Sequence, residues 1–475
     1  ELDTDCLHAH VGTAYYGVYP NESVMMISDL DRRGYHDEAR RNYDAFLRYQ
    51  GSVSMPGNFG SVEGQFYGAG GHETGGYNKS HGYVMWGMAQ HWWFTRDREW
   101  MDKAAPGLVK ACEWVIRERQ ATMAVRPDGT RPRESGWLPA GSLEDVTDYW
   151  HWLATNSATV WGFRALADAL VDAGHAEGSR LQSEARAYYD DFMRGITESR
   201  ILCPVVRLRD GTCVPKIPSR VYERGRAHGW LRETLEGSLF LPAYGLLAPD
   251  APETKWILKD YEDNLYISDR YGYAIPAYDA FWFSRGGFSM QANLLDGPLP
   301  YLWRDDVKHY IRAYFNGFAS AFYPEIRMCN EHSLPELGYP RGDHFKTSDE
   351  AQSTYWLRLM FVNERGGDLY LGQAIPRYWL AHGNRIGIER AASDFGPVSL
   401  RYESRTAAGE VKITLDPPAR NPPANIYLRV RHPQGRPIRS ALVNGKAWDR
   451  IDPRKEWVVL PGALDGRQEV LVRYQ

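Results

Sequence analysis

Residues 78–115 read NKSHGYVMWGMAQHWWFTRDREWMDKAAPGLVKACEWV. We read this stretch as two helices, Ser80–Thr95 and Arg98–Arg119, turned back on each other at Arg96-Asp97. The same arrangement stands on both sides of it. Upstream, Glu22–Arg33 carries Val24, Met25, Ile27 and Leu30 in a helical pattern. Gly34 follows, a natural left-handed residue just past a helix end. Asp37–Gln50 then resumes with Ala39, Tyr43, Phe46 and Leu47 on one face. Downstream, Trp152–Ala173 and Glu177–Ile196 flank a turn at Gly174-His175. The turns RRGYHDEA, FTRDREW and DAGHAEG are short, and short connections make antiparallel neighbours. The segments between pairs are longer and rich in Gly, Pro and aromatics. A ring of helical hairpins is expected, with tight turns at one end and long functional loops at the other.

Further along, residues 198–224 carry strand signals around an Asp-Gly turn. Helical patterns return at Arg232–Leu247, Ser289–Leu295, Asp305–Ala321 and Ser348–Val362, giving ten or more helices before residue 382. Near Asn384 the character changes. RIGIERA, VSLRYES, EVKITLD, NIYLRVRH, SALVNGKAW, EWVVLP and QEVLVRYQ are short alternating runs broken by Gly, Pro, Asn or Asp. That is the pattern of an antiparallel β-sandwich. The expected fold is mainly α: residues 1–383 form the helical, site-bearing domain and residues 384–475 a small C-terminal β-sandwich.

A chain of 475 residues exceeds one ordinary core, so two or three domains are expected. The net charge of −4 argues against a nucleic-acid surface, which needs a basic excess. No run of about 18 apolar residues stands out, so no membrane span is expected. The cysteines Cys6, Cys112, Cys203, Cys213 and Cys329 are odd in number and lack a Cys-x-x-Cys pair. Cys203 and Cys213 flank the hairpin-like CPVVRLRDGTC, where a bridge and two free thiols are both open. Aromatic content is high: 17 Trp, 30 Tyr and 16 Phe, many beside Gly, Asn, Asp and His. Such rings suit stacking on sugar faces; they equally suit a large core in which Tyr O–H and Trp N–H find partners.

No P-loop, GxGxxG, HExxH or GxSxG occurs. Chemistry would then be carboxylate- or His-based, with no organic cofactor and no metal expected. Acids gather in four of the long segments: Glu63 and Glu73; Glu144, Asp145 and Asp148; Glu233 and Glu236; and Glu331, Glu336, Asp343, Asp349 and Glu350. The ordinary explanation of each is a helix-start acid favoured by capping and the macrodipole. It fits Asp349 and Glu350 best, after Thr347-Ser348. It fits Glu331 and Glu73 least, since both sit among Gly, His and Asn. Glycoside hydrolysis needs two carboxyls, one protonated and one ionised. Glu144, beside Asp145 and the run Tyr149, Trp150, His151 and Trp152, has the acidic and apolar neighbours that would keep a carboxyl protonated. Histidines such as His332 and His344 in the fourth group are either site residues or ordinary hydrogen-bonded loop residues.

Three stretches carry a family resemblance. Residues 78–115 resemble the second hairpin of the six-hairpin, or (α/α)6-barrel, glycosidases, the broad group of glucoamylases, disaccharide phosphorylases and α-L-rhamnosidases. LEDVTDYWHWLATNSATVWGFRALADAL (143–170) resembles the acid-bearing helix start of that barrel. GGDLYLGQAIPRYWLAHGNRIGIERAASDFGPVSLRYES (366–404) resembles the passage from the last barrel helix into a C-terminal β-sandwich. The resemblance implies a general acid at Glu144, with Asp145 or Asp148 as substitutes, and a general base at Glu331, with Glu336 second. It implies a sugar subsite lined by His72, Glu73, Asn78, Lys79 and His81. Tyr149, Trp150 and Trp152 would stack or gate, and Arg341 and Asp343 would hold a substrate hydroxyl or carboxylate. The N-terminal β-sandwich usual in the group does not show, which implies a piece of a longer protein.

The expectation is an exo-acting, inverting glycoside hydrolase on an oligo- or polysaccharide, with no nucleic-acid partner, in a periplasmic or secreted location. A phosphorylase on the same barrel (suggested by Arg341 and the SRGGFS at 284–289), a non-catalytic glycan-binding protein and a polysaccharide lyase are the alternatives.

Overall fold

The computed structural model describes residues 2–3, 6–12, 17–144, 146–208, 210–224, 237–264, 296–323, 325–331 and 344–475. Among them are α1 (Pro20–Arg32), α2 (His36–Arg48), α3 (Ser80–Thr95), α4 (Arg98–Thr122), α5 (Leu153–Asp172), α6 (Gly178–Arg200), α7 (Phe240–Ala243), α8 (Pro252–Asn264), α9 (Leu299–Trp303), α10 (Val307–Ala321) and α11 (Thr347–Leu359). The first six form the three antiparallel pairs of the sequence pattern. Asp97 starts α4 as a cap, accepting the Trp100 N–H at 3.0 Å. Gly34 ends the first pair's turn at φ +87°.

Composition sorts these helices into layers. α3 and α5 are apolar nearly all round and buried along most of their length. α2, α4 and α6 each keep a charged, solvated stripe. A helix apolar on all sides belongs in an interior. Accordingly α3 packs between α1 and α5, and α1 packs also on α11. α2, α4 and α6 lie outside, each against the inner helix of its own pair. Glycine permits the closest approach: a Cβ on Gly162 would stand 2.9 Å from Gly82 Cα, and one on Gly82 2.6 Å from Thr159 N.

The expected helix Arg232–Leu247 shortens, within the described residues, to α7, and Ser289–Leu295 lies outside them. Strands Val205–Arg207 and Cys213–Pro215 pair as a hairpin without a disulfide, and all five thiols are free. No described helix is long and apolar enough to cross a membrane.

The C-terminal region holds two sheets. One has six strands, in the order 385–391, 398–405, 410–416, 468–474, 438–443 and 446–448; the other has five, in the order 451–452, 457–461, 425–429, 368–371 and 362–365. Val411, Ile413, Leu415, Val470 and Val472 of the first and Ile426, Leu428, Val458 and Leu460 of the second are fully buried, the alternation of a sandwich core. Tyr402 and Tyr474 tie the sheets, donating to the carbonyls of Arg429 (2.9 Å) and Val430 (3.1 Å). Two strands of the second sheet, Val362–Arg365 and Asp368–Leu371, precede the change of character at residue 384. They are four residues each and follow directly on α11, so no break in composition marks them. Arg429 pairs with Asp305 (2.6 Å), and Arg420 donates to the Trp93 carbonyl (2.9 Å), fastening the sheets to the helices.

Candidate active site

The inner helices begin where the long connections gather. The acid-rich segment before α5 is a β-hairpin, Gly141–Leu143 against Val146–Trp150. It is not the helix start that the sequence suggested. α5 begins at Leu153, so Asp148 caps nothing and lies exposed on the second strand. Side chains at 147–150 are exposed on both faces, which destroyed the helical periodicity expected there. The hairpin is stitched to the preceding loop. Gly141 bridges Gly57, the Ser142 N–H donates to the Pro56 carbonyl at 3.1 Å, and Ser142 Oγ donates to the Gly76 carbonyl at 2.6 Å.

Glu144 sits at the hairpin tip with φ +50°. A non-glycine residue holds that conformation when its surroundings over-determine it. Here the surroundings include Lys79, the residue before α3. The Lys79 ammonium and the Glu144 carboxylate form an ion pair, and each side chain is only 1% exposed. The Phe240 ring lies 5.1 Å from the same ammonium. Glu144 is therefore not the loop-projecting acid the sequence suggested. Protonating it would strand the Lys79 charge in a buried setting, a change costing several kcal/mol on the order of 3–5.

A second charged group spans α1 and α11. Lys346, just before α11, lies 3.1 Å from Glu22 Oε2 and 3.3 Å from Glu331 Oε1. Ser348 Oγ donates to Glu22 at 2.7 Å. Burial alone would lower the Lys346 pKa; the charges of Glu22, Asp349 and Glu331 outweigh it and raise it. Glu22 and Lys346 are nearly inaccessible, whereas Glu331 keeps 17% of its side chain exposed.

Tyr83 on α3 lies between the groups. Its hydroxyl shares a 2.5 Å hydrogen bond with the Tyr244 hydroxyl. Burial first, then the charges of Asp296, Glu144 and Glu22, raise its pKa well above 10. Asp296 is itself buried, accepts from the Gln352 amide, and is pushed up to about 7 by burial. Glu22, Asp296 and Lys346 are the residues that sequence reasoning missed, whereas Lys79, expected to line the sugar subsite, is taken up by Glu144. A signal existed for Lys346, a lysine immediately before an inner helix as Lys79 is.

The remaining sequence candidates fall as follows. His81 is in the core: its Nδ1 accepts the Phe66 N–H at 3.0 Å, its Nε2 faces the Ala111 carbonyl at 3.2 Å, and burial lowers its pKa to about 3. A neutral imidazole with both nitrogens engaged has nothing left for a sugar. Asn78 is buried, donating to the Pro56 carbonyl at 2.9 Å. The Glu73 carboxylate turns into its own loop, accepting from Ala69 N (2.7 Å) and Gly71 N (3.0 Å). His72 packs against His8 and His10, with ring centres 5.4 and 5.2 Å away. Trp152 is buried, while Tyr149 and Trp150 are exposed. The Arg220 guanidinium lies 4.4 Å from the Trp150 ring and 5.4 Å from that of Trp152. Asp145, Glu336, Arg341 and Asp343 lie outside the described residues, as do His332, Glu233, Glu236 and the 284–289 stretch. No group of three His, Cys, Asp or Glu among the described residues is arranged to hold a metal.

Chemically, the inner helix starts present two buried lysine–carboxylate clusters, a partly open carboxylate at Glu331, and an exposed acid at Asp148 beside aromatic rings. No protein-family model and no curated protein sequence matches the chain. Among the solved structures similar to the chain are two α-L-rhamnosidases. An α-L-rhamnosidase from Dictyoglumus thermophilum matches with a TM-score of 0.52 and 9% identity, over 96% of this chain and 46% of that one. The Streptomyces avermitilis α-L-rhamnosidase, solved with L-rhamnose, matches with a TM-score of 0.50 and 12% identity, over 96% of this chain and 38% of that one. The chain spans less than half the length of either. At such identity the likeness is one of fold: the chain shares the fold of the matching part of these two structures.

Proposed function

We propose that the chain is a glycoside hydrolase, exo-acting and inverting, working at the loop end of a closed (α/α)6 barrel. The observation that carries this reading is the convergence of carboxylates on the starts of three inner helices, α1, α3 and α11, in a chain whose fold is like that of two α-L-rhamnosidase structures. Glu331 is the general base: it is partly open to water and held by Lys346, 3.3 Å away, which orients it. The proton donor comes from the 141–150 hairpin. Lys79 takes Glu144 out of that role, so Asp148 has it, with Tyr149 and Trp150 alongside to stack on the sugar. Glu144 and Lys79 position the hairpin.

The test is turnover of aryl glycosides, the α-L-rhamnoside first, followed by nuclear magnetic resonance to identify the anomer released. Glu331→Gln should lower kcat on all substrates by about 10²–10⁴-fold. Asp148→Asn should lower it likewise on a poor leaving group but far less on dinitrophenolate, which departs without a proton. Equal losses on both leaving groups would remove Asp148 from the donor role. Retention of anomeric configuration would overturn the inverting assignment.

A further inference from the structure

The proposed reaction leaves one aromatic-lined cavity unused. It has a volume of about 420 Å³ and lies toward the opposite, turn-bearing end of the inner helices. One wall is a column of rings. Trp86 stacks on Trp161 (4.4 Å between centres, 23° between planes), and Trp161 on Tyr244 (4.2 Å, 9°). The facing wall includes Arg32, Gln352 and Tyr355. The rim reaches the surface at Gly245, Ala248, Arg365 and Gly366, which are exposed. Arg32 ends α1, ten residues after Glu22, so the two lie about 15 Å apart along the helix. Glu22, Glu144 and Glu331 do not line this cavity, which meets the loop-end group only at Tyr83, Tyr244 and Asp296.

Arg32 is the anomaly. It is 6% exposed, and its guanidinium lies 3.7 Å from the centre of the Tyr355 ring and 5.7 Å from that of Trp86. A guanidinium offers five N–H donors. Among the described residues, Arg32 makes no hydrogen bond and no ion pair. Asp29, whose charge it feels, is bonded to Arg33 at 2.8 Å. Arg358 on the same cavity shows the usual outcome: it holds Glu364 and donates to the carbonyls of Val362 and Ala392. A desolvated cation is costly, and ring contacts return only about 2 kcal/mol. Among the described residues, Arg32 is thus a positive charge without a hydrogen-bonding partner in an aromatic pocket, which it shares with Asp296, a carboxyl within its electrostatic reach.

We infer that this cavity binds a monosaccharide-sized sugar acid of the hexuronate class, its carboxylate on Arg32 and its ring against the Trp86–Trp161 column. Gln90 and Gln352 supply amides for the ring hydroxyls. The carboxyls that line the cavity do not oppose an anion. Glu364 is engaged by Arg358, and Asp394 faces Arg358, Arg96 and Arg420. Asp296, raised to about 7 by burial, presents an O–H at mildly acidic pH. The site does not depend on the hydrolase reading, because neither Glu331 nor Asp148 lines the cavity.

The experiment is calorimetric titration of the whole chain at pH 6 with D-glucuronate and D-galacturonate, with D-glucose, benzoate and sulfate as comparisons. At least one uronate should bind and glucose should not. Arg32→Met should weaken uronate binding tenfold or more while leaving resistance to urea equal or greater, since it removes an unpaired buried charge. Arg32→Gln serves as the second variant should Arg32→Met not fold. Uronate should also change the wild-type tryptophan fluorescence through Trp86 and Trp161. No uronate binding, undiminished binding by both Arg32 variants, or equal binding of sulfate or benzoate would each overturn the inference. Glu331→Gln should bind uronate as the wild type does, whatever its effect on turnover.

Discussion

Removing Lys79 tests the loop-end electrostatics most directly. Lys79→Met keeps the length of the side chain and deletes the charge. Both members of the Lys79–Glu144 pair are 1% exposed, so neither can recover its lost partner from water. Breaking a buried pair from one side costs about 3–5 kcal/mol, because the other charge is stranded. Against a typical stability of about 5–15 kcal/mol, that is a large share. Glu144→Gln should cost a similar amount by stranding the ammonium. The double variant Lys79→Met/Glu144→Gln strands nothing and should be less destabilised than the sum of the singles by about 3 kcal/mol, a coupling expected only of groups in contact. Urea titration followed by tryptophan fluorescence gives the three midpoints. The slopes should stay equal, since the exposed surface does not change. Additivity within about 0.5 kcal/mol would show that the two charges do not face each other, and the positioning role of Glu144 would fall with it.

Three further outcomes are expected. Gly162→Ala drives a methyl into the backbone of α3 and should cost about 1–3 kcal/mol or more, whereas Gly34→Ala, with open space at φ +87°, should cost only the left-handed strain of about 1–2 kcal/mol; equal urea midpoints would deny the close α3–α5 approach. Asp296 has a folded pKa raised from 3.8 to about 7, so the folded state holds its proton longer and stability should fall as pH rises between those values. The loss is on the order of 4 kcal/mol at the top of that window. Asp296→Asn should flatten this part of the pH–stability curve, leaving the share of Asp394, which is raised likewise; an unchanged curve would contradict the burial of Asp296. Glu118 accepts the N–H groups of Gly60 (2.9 Å) and Ser61 (2.9 Å). Glu118→Gln should weaken these charge-assisted bonds by about 1.5–3 kcal/mol, seen as faster amide exchange at those two residues.

By itself the sequence determined the helical hairpins. Period and turn chemistry are local, so RRGYHDEA, FTRDREW and DAGHAEG marked three antiparallel pairs to within a few residues. Alternation likewise marked the strands after residue 384. It could not mark Val362–Arg365 and Asp368–Leu371, because four-residue strands carry too few alternations and the strand that joins this pair to the sheet, at 425–429, is some sixty residues away. Nor could it tell a helix start from a hairpin at residues 141–150, where exposure on both faces leaves no period to read. The roles of the charged residues were decided by the tertiary structure alone. Glu144 looked like a proton donor until Lys79, sixty-five residues earlier, was brought against it. His81 looked like a sugar ligand until the Phe66 and Ala111 backbone groups took both its nitrogens. Asp296 had nothing in its own neighbourhood, LLDGPLP, to single it out. An ionisable group's behaviour is set by burial and by partners distant in the chain, and those exist only once the inner helices have packed.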